Sequence, residues 1–140
     1  MLLTEADLRQ VVQHNIAESI VQLKDIPIHV GNKSINVEVA DNEDSRNIGM
    51  MFRRVLPPEK GMLFVFEDSA PRRFWMKNTY VPLSIAYINS RGIILNVEKM
   101  NPLSESGVWS KGPARYALEM NQGWFKENGI SPGDLVKIYR

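Results

Sequence analysis

The sequence contains no cysteine, and this absence excludes several kinds of chemistry. Without a thiol there is no disulfide, no thiolate nucleophile and no cysteine-ligated zinc site, although the redox compartment stays open. The 140 residues include only two histidines, His14 and His29, and neither has a second ligand nearby at the spacing of a zinc site. We therefore expect no metal centre, no cofactor and no Ser-His-Asp triad, and we interpret both histidines as structural.

Long apolar runs and an excess of charge of one sign are also missing. No segment approaches the roughly 18 apolar residues that suggest a membrane span, and the N-terminus lacks the pattern of a signal peptide. Lys plus Arg is 17 and Asp plus Glu is 16, so the formal net charge is +1. Because this balance gives no strong field for polyanions, nucleic acid is not expected as a partner. We expect a cytoplasmic protein from the chain as given, or an exported one if a signal peptide has been removed.

The first 25 residues predict an amphipathic helix that precedes a single domain at 26–140. From Ala6 to Leu23, apolar residues recur every three or four positions, as on one face of a helix. Thr4 with Asp7 resembles a capping box, and Asp25-Ile26-Pro27 ends the helical pattern. The apolar face is expected to pack on the domain's own sheet, with self-association or a protein partner as alternatives.

From Ile26 onward the period changes to the alternation of β-strands. Strands are predicted at 26–30 and 35–39, with a turn at Gly31-Asn32, and Arg91-Gly92 predicts a later hairpin. Further strand candidates are Met62–Phe66, Arg73–Lys77, Leu83–Asn89, Ile93–Lys99, Arg115–Met120 and Leu135–Tyr139, the last fed by a turn at Pro132-Gly133-Asp134. The predicted class is α+β, mainly β: a compact barrel-like or folded antiparallel or mixed sheet with short helices.

Two stretches between the strands carry distinct signals. A short helix is predicted from Asp41, as its cap, through Phe52, with Gly49 inside it and packed closely against a neighbour. Residues 102–113 form the longest irregular stretch and contain a lone Trp109, so we expect a mobile loop there.

Several sequence blocks occur in an order that is typical of one family. The blocks are Ile48-Gly49-Met50-Met51-Phe52-Arg53, Gly61-Met62-Leu63-Phe64, Phe74-Trp75-Met76-Lys77-Asn78-Thr79, Pro82-Leu83-Ser84-Ile85, Tyr116-Ala117-Leu118-Glu119 and Gly129-Ile130-Ser131-Pro132-Gly133-Asp134. Over roughly 34–138 the chain resembles the domain of unknown function 192 family. The resemblance implies a compact, mostly β, prokaryotic domain with no established activity, and it implies frequent export. Many relatives carry Asp in the Pro-Leu-Asp-Ile block, where this chain has Ser84, so any role of that carboxylate is absent or reassigned here.

The candidate ligand-binding residues are centred on Trp75, Lys77 and Asn78. In an extended strand, Trp75, Lys77 and Thr79 share one face, so one face can pack while the other receives a ligand. An indole can stack on an apolar ring, an ammonium can meet an anion, and Arg53 and Arg73 can add bidentate contacts. The alternative is structural, with Trp75 in the core, Lys77 extended along it and Asn78 bonded to a turn.

Glu119 is the remaining candidate, because it lies between Leu118 and Met120 in an apolar strand. A half-buried carboxylate needs a partner, so Glu119 is expected either to pair with Lys77 or Arg53 or to act as a base with a raised pKa in a cleft. The methionines can be read as copper(I) ligands, but their places in apolar elements favour core packing.

These observations predict a small binding module for a polar or anionic small ligand, with Arg53, Trp75, Lys77, Asn78 and Glu119 at its site. An enzyme that uses Lys77 or Glu119 in acid–base chemistry is the first alternative, although no nucleophile or cofactor motif is evident. A scaffold that docks through the N-terminal helix is the second.

Overall fold

A computed structural model describes residues 23–139, and these form one seven-stranded sheet, one two-stranded sheet and two short helices. The predicted N-terminal helix lies outside the described residues, apart from Leu23. In chain order the elements are β1 (Asp25–Val30), β2 (Lys33–Ala40), α1 (Glu43–Ile48), β3 (Gly61–Ala70), β4 (Arg73–Phe74), β5 (Leu83–Ile88), β6 (Ile94–Met100), β7 (Val108–Trp109), β8 (Ala114–Asn121), α2 (Trp124–Glu127) and β9 (Val136–Ile138).

The large sheet has the order β6-β5-β8-β3-β2-β1-β9 and is antiparallel except for the β2–β3 pair. Its two edges meet, because Ile93 and Leu135 form an antiparallel bridge. Three backbone hydrogen bonds support this contact: Ile94 N to Asp134 O at 3.0 Å, Gly133 N to Ile94 O at 2.8 Å and Val136 N to Gly92 O at 2.7 Å. The mainly β, barrel-like fold is therefore confirmed, as a curled sheet whose edges meet at one end.

Strand alternation divides the core into two clusters. One cluster fills the inside of the curl, where Leu63 and Val65 of β3 pack with Leu118 and Met120 of β8. Helix α2 belongs to this cluster through the buried side chains of Trp124 and Phe125. The second cluster lies on the opposite face of β3, β5 and β8, beneath the segments 49–56 and 74–82. This second layer positions the candidate site.

The predicted turns at Gly31-Asn32, Arg91-Gly92 and Pro132-Gly133-Asp134 are present. Three local predictions are wrong. The strand expected over Arg73–Lys77 ends at Phe74, because a turn follows it. The helix begins after Asn42, whose side chain accepts from Ser45 N at 2.8 Å, and not after Asp41. It ends at Ile48, so Gly49 is its C-terminal cap and not an interior residue.

Gly49 nevertheless makes the close approach that was predicted for it. Its φ is +50°, and a Cβ atom there would lie 3.3 Å from the ring of Phe64. Within the irregular stretch 102–113, Val108 and Trp109 form β7, which pairs with β4. The phenol of Tyr87 fixes this small sheet by accepting from Phe74 N at 3.1 Å and donating to Val108 O at 2.5 Å.

Candidate functional site

A pocket of about 290 Å³ opens between α1 and the residues around β4. Its floor is the second face of the sheet, which carries Phe64 and Phe66 on β3 and Glu119 on β8. We call it the Glu119 pocket. Its lining residues are Arg46, Asn47, Ile48, Gly49, Met50, Met51, Phe64, Phe66, Pro71, Arg72, Arg73, Phe74, Trp75, Thr79 and Glu119.

Glu119 reaches this floor because of its register in the sheet. Leu118 and Met120 point into the curl, so Glu119 must point to the other face, where its cross-strand neighbours are Met62 and Ile85. Both neighbours are fully buried, and Glu119 itself is 4% exposed. Its carboxyl group makes no hydrogen bond or ion pair to any residue of 23–139. Burial raises the pKa of Glu119 to about 8, and the charge of Arg53 opposes this rise.

The Arg53 guanidinium is committed to a different carboxylate. Its Nη1 and Nη2 atoms donate to the two oxygens of Glu38 at 2.5 and 3.1 Å, which is a bidentate pair on the β2 side of the pocket. The Nε atom is buried without an acceptor. Arg53 therefore acts on Glu119 through its charge and not through a hydrogen bond, and it does not line the Glu119 pocket.

Aromatic rings form the apolar wall of the pocket. Phe74 packs edge-to-face on Phe64, with ring centroids 4.8 Å apart, and on Phe66, at 6.2 Å. Two guanidinium groups lie over the Phe66 ring, Arg72 at 3.9 Å and Arg46 at 5.3 Å from its centroid. Arg46 also donates to Val65 O at 3.0 Å, and Arg72 pairs with Asp68 at 2.8 Å. These arginines therefore hold the wall together while they border the pocket.

Trp75 and Lys77 are adjacent at the surface. Trp75 is 41% exposed and lines the pocket, and the Lys77 Nζ atom lies 5.3 Å from the centre of its ring. Lys77 is exposed and is not among the lining residues. Thr79, expected on the same face, is buried, because the segment turns between Met76 and Thr79 and does not continue as a strand. The pair thus lies at the rim of the pocket.

Asn78 has a backbone role in the turn. Its φ is +55°, a left-handed conformation that asparagine adopts more readily than most residues. Its carbonyl accepts the Phe52 amide at 2.8 Å, which ties the two segments that cover the second cluster. The Asn78 side chain makes no hydrogen bond to the described residues.

Ser84, where the family resemblance implies Asp, lies away from the pocket. It is buried beside Met120, on the inside of the curl, and its Oγ accepts from Gly123 N at 3.0 Å. The hydroxyl therefore satisfies the backbone at the start of α2. Its replacement of a carboxylate changes nothing in the wall of the Glu119 pocket.

Other candidate features are weaker. A larger hollow of about 1000 Å³ adjoins Leu23 on the other side of α1, but its charged lining residues, Lys24, Asp41, Glu43 and Asp44, are all exposed. No group of three or more His, Asp or Glu residues suited to a metal ion exists within 23–139. His29 packs edge-to-face on Tyr139, at 5.1 Å, on the exposed side of β1. Five of the methionines, Met50, Met62, Met76, Met100 and Met120, are buried in the two core clusters.

The structure brings Trp75 and Glu119 to one pocket, sets Arg53 near its base and leaves Lys77 and Asn78 outside its lining. Nothing in the sequence singled out Arg46 or Phe66 as neighbours of this site. The alternation in Phe64-Val65-Phe66 was the one available signal, since it puts both rings on the same face as Glu119 once β3 and β8 are paired. That pairing could not be read from the sequence.

In the described part of the chain, none of the helices is long and apolar enough to cross a bilayer.

No curated protein is similar in sequence to this chain. Two solved structures share its fold. One, from Sinorhizobium meliloti 1021 and assigned provisionally as a transcription regulator, has a TM-score of 0.76 and 37% identity, covering 83% of this chain and 93% of its own. The other, a protein of unknown function from Novosphingobium aromaticivorans DSM 12444, has a TM-score of 0.76 and 30% identity, covering 82% and 84%.

The match to a family model is longer than the resemblance seen in the sequence blocks. It extends over residues 26–138, from β1 to the end of β9, and the family is described as an uncharacterized ACR. The chain belongs to the domain of unknown function 192 family, DUF192.

Proposed function

We propose that this chain is a binding module for a small polar ligand, held in the Glu119 pocket. The observation that carries the proposal is the Glu119 carboxyl group, which is 4% exposed, lines the pocket and has no hydrogen-bond partner within 23–139. An ionisable group that is buried without a partner costs free energy of folding. A ligand that hydrogen-bonds to Glu119 removes this cost, so the group contributes to affinity.

Of the other candidate residues, Trp75 contacts the ligand directly in this proposal, and Arg53, Lys77 and Asn78 act through their neighbours. Trp75 packs against the apolar part of the ligand at the rim, as an exposed aromatic side chain next to a pocket can do. Arg53 supports Glu119 through its charge. Lys77 contacts the Trp75 ring from outside, and Asn78 holds the turn that carries both. A volume of about 290 Å³ suits a molecule near the small end of ligand sizes.

The test begins with native mass spectrometry of the protein isolated from its source cells, followed by a thermal-shift screen of small polar molecules. Wild type, Glu119→Gln and Lys77→Ala are compared. We expect a copurified or screened compound to raise the melting temperature of wild type and of Lys77→Ala, but not of Glu119→Gln. Loss of the shift in Lys77→Ala alone would move the site to the outer Trp75–Lys77 surface. No stabilising compound for any of the three proteins would contradict the binding function.

Acid–base catalysis at the same pocket is a second candidate function, favoured by one observation. A carboxyl group with a pKa of about 8 is largely protonated at neutral pH and can act as a general acid. Chemical conversion of the identified compound by wild type, and not by Glu119→Gln, would separate catalysis from simple binding. Transcription regulation, the provisional role of the S. meliloti relative, gains no support from the formal net charge of +1.

A further inference from the structure

At the base of the Glu119 pocket, the carboxyl oxygens of Glu119 can accept hydrogen bonds that no described residue donates. An ionised carboxylate has two oxygens that accept several hydrogen bonds, and none of the donors within 23–139 reaches those of Glu119. Its neighbours across the sheet, Met62 and Ile85, are apolar and fully buried. What this position lacks is therefore a hydrogen-bond donor, preferably one that carries positive charge.

Arg53 cannot supply that donor in its present arrangement. Each of its Nη atoms donates one hydrogen bond to Glu38, its Nε atom has no acceptor, and none of its N–H groups reaches Glu119. Moving the guanidinium to Glu119 would leave the Glu38 carboxylate, which is itself half-buried, without its bidentate partner. None of the N–H donors of residues 23–139 reaches Glu119 in this arrangement, which leaves the position open to a donor from a ligand.

The walls of the pocket are suited to an organic cation. The faces of aromatic rings attract positive charge, and this pocket already shows the effect, because Arg46 and Arg72 lie over the Phe66 ring. The rings of Phe64 and Phe74 also line the pocket. The positive charge of Arg72 is offset by Asp68, at 2.8 Å. Arg46 and Arg73 also line the pocket and repel an entering cation, so its nitrogen must pair closely with Glu119.

We propose that the Glu119 pocket binds a small organic ammonium ion, with its nitrogen directed at Glu119 and its apolar body against Phe64, Phe74 and Trp75. This inference rests on the proposed binding function and names the ligand class for that site. A carboxylate or phosphate at the same depth would repel ionised Glu119, so it would bind only to the protonated form and without proton release. An alcohol would supply a hydrogen bond but not the charge that a buried carboxylate requires.

Binding of such a ligand is linked to a proton. Arg53, from the segment 49–56, is the charged group that acts on the pKa of Glu119. The charge of Glu119 acts in turn on the Tyr87 phenol on β5, whose pKa is raised mainly by burial. Because the pKa of Glu119 is about 8, most molecules carry the proton at pH 7 and must release it to pair with an ammonium. Binding should therefore release about one proton at pH 7, and affinity should rise about fivefold between pH 7 and pH 8.

The experiment is isothermal titration calorimetry of the full chain with three probes of one shape: benzylamine, benzyl alcohol and benzoate. Titrations at pH 7 in two buffers of different ionisation heat give the number of protons released. We expect benzylamine to bind with release of about one proton, and the two other probes to bind at least about tenfold more weakly. Glu119→Gln, which keeps the side-chain volume, should weaken benzylamine about tenfold or more and abolish the proton release. Glu67→Gln, the same substitution at an exposed residue outside the pocket lining, serves as the matched control and should bind as wild type does.

The outcomes separate this inference from the proposed function. Equal binding of benzylamine by wild type and Glu119→Gln, or binding without proton release, would overturn the ammonium assignment. Tighter binding of benzyl alcohol or benzoate that is lost in Glu119→Gln would overturn the ammonium assignment and leave the binding function standing. If benzylamine does not bind, while the screen finds other ligands whose binding depends on Glu119, the ammonium assignment is also overturned and the binding function stands. Failure of every compound in both experiments would remove the binding function itself.

Discussion

Glu119 is a buried carboxyl group whose ionisation opposes folding. Its folded-state pKa of about 8 lies above its ordinary value of 4.5, so between these limits the folded state holds a proton that the unfolded state has lost. The free energy of unfolding should therefore fall as pH rises from about 5 to about 8, with a contribution of about 1 kcal/mol per pH unit from this group. Urea denaturation across this range measures the slope.

Glu119→Gln should remove this contribution, because glutamine does not titrate. The variant is expected to be more stable than wild type at pH 8 and to approach wild-type stability near pH 5. Glu67→Gln, at an exposed position on the neighbouring strand, is the matched control and should keep the wild-type slope. Parallel pH profiles for wild type and Glu119→Gln would contradict the burial of an unpaired carboxyl group.

Secondary structure elements were predictable where a side-chain pattern alone decides the conformation. Alternation of apolar and polar residues predicted the strands β1, β2 and β8. Along β8 the same alternation puts Leu118 and Met120 on one face and Glu119 on the other. The same reasoning failed after Phe74, where a local backbone conformation ends the strand. The left-handed residue Asn78 turns the chain, and its effect depends on a hydrogen bond from Phe52, a residue 26 positions earlier. Such a contact has no periodic signal in a sequence.

The turn at Asn78 gives a test of backbone against side-chain function. Glycine adopts a positive φ without strain, so Asn78→Gly should change the free energy of unfolding by less than about 1 kcal/mol. Asn78→Val places a β-branched residue in the same conformation and should destabilise by about 1–3 kcal/mol. Chemical denaturation of both variants decides the point. If Asn78→Gly preserves the fold but loses ligand, the Asn78 side chain is part of the binding site.

At the scale of the whole molecule, two apolar layers share one sheet, and the site lies in the layer outside the curl. The inner cluster contains α2 and the strand faces that the hydrophobic pattern predicts. The outer cluster depends on the segments 49–56 and 74–82, which have little regular structure and were assigned to the site only through Arg53, Trp75, Lys77 and Asn78. Strand order determines which of these residues meet. The β2–β3 parallel pair and the insertion of β8 between β5 and β3 join residues far apart in sequence, so the pocket could not be assembled from local patterns.

The two edges of the sheet are joined by contacts between residues far apart in sequence, and Gly92 lies at this junction. We therefore expect a substitution of Gly92 to weaken it. This residue has a φ of +85°, its carbonyl accepts from Val136 N, and an added Cβ would lie 2.6 Å from the Val136 carbonyl oxygen. Gly92→Ala should therefore combine backbone strain with loss of the edge contact and cost about 2–4 kcal/mol. Gly129→Ala is the matched control, because Gly129 also has a positive φ, +68°, but open space around it, and should cost only about 1 kcal/mol.

Hydrogen exchange shows where the difference arises. In Gly92→Ala the amides of Ile94 and Val136, which donate across the edge contact, should lose protection before those of β3 and β8 at the centre of the sheet. In Gly129→Ala they should keep it relative to the rest of the sheet. Equal destabilisation by the two substitutions, with no selective loss at Ile94 and Val136, would show that the edge contact adds nothing to the stability of the curled sheet. Selective loss would establish that the contact closes the inner layer, so that the C-terminal strand holds together a sheet whose opposite face carries the pocket.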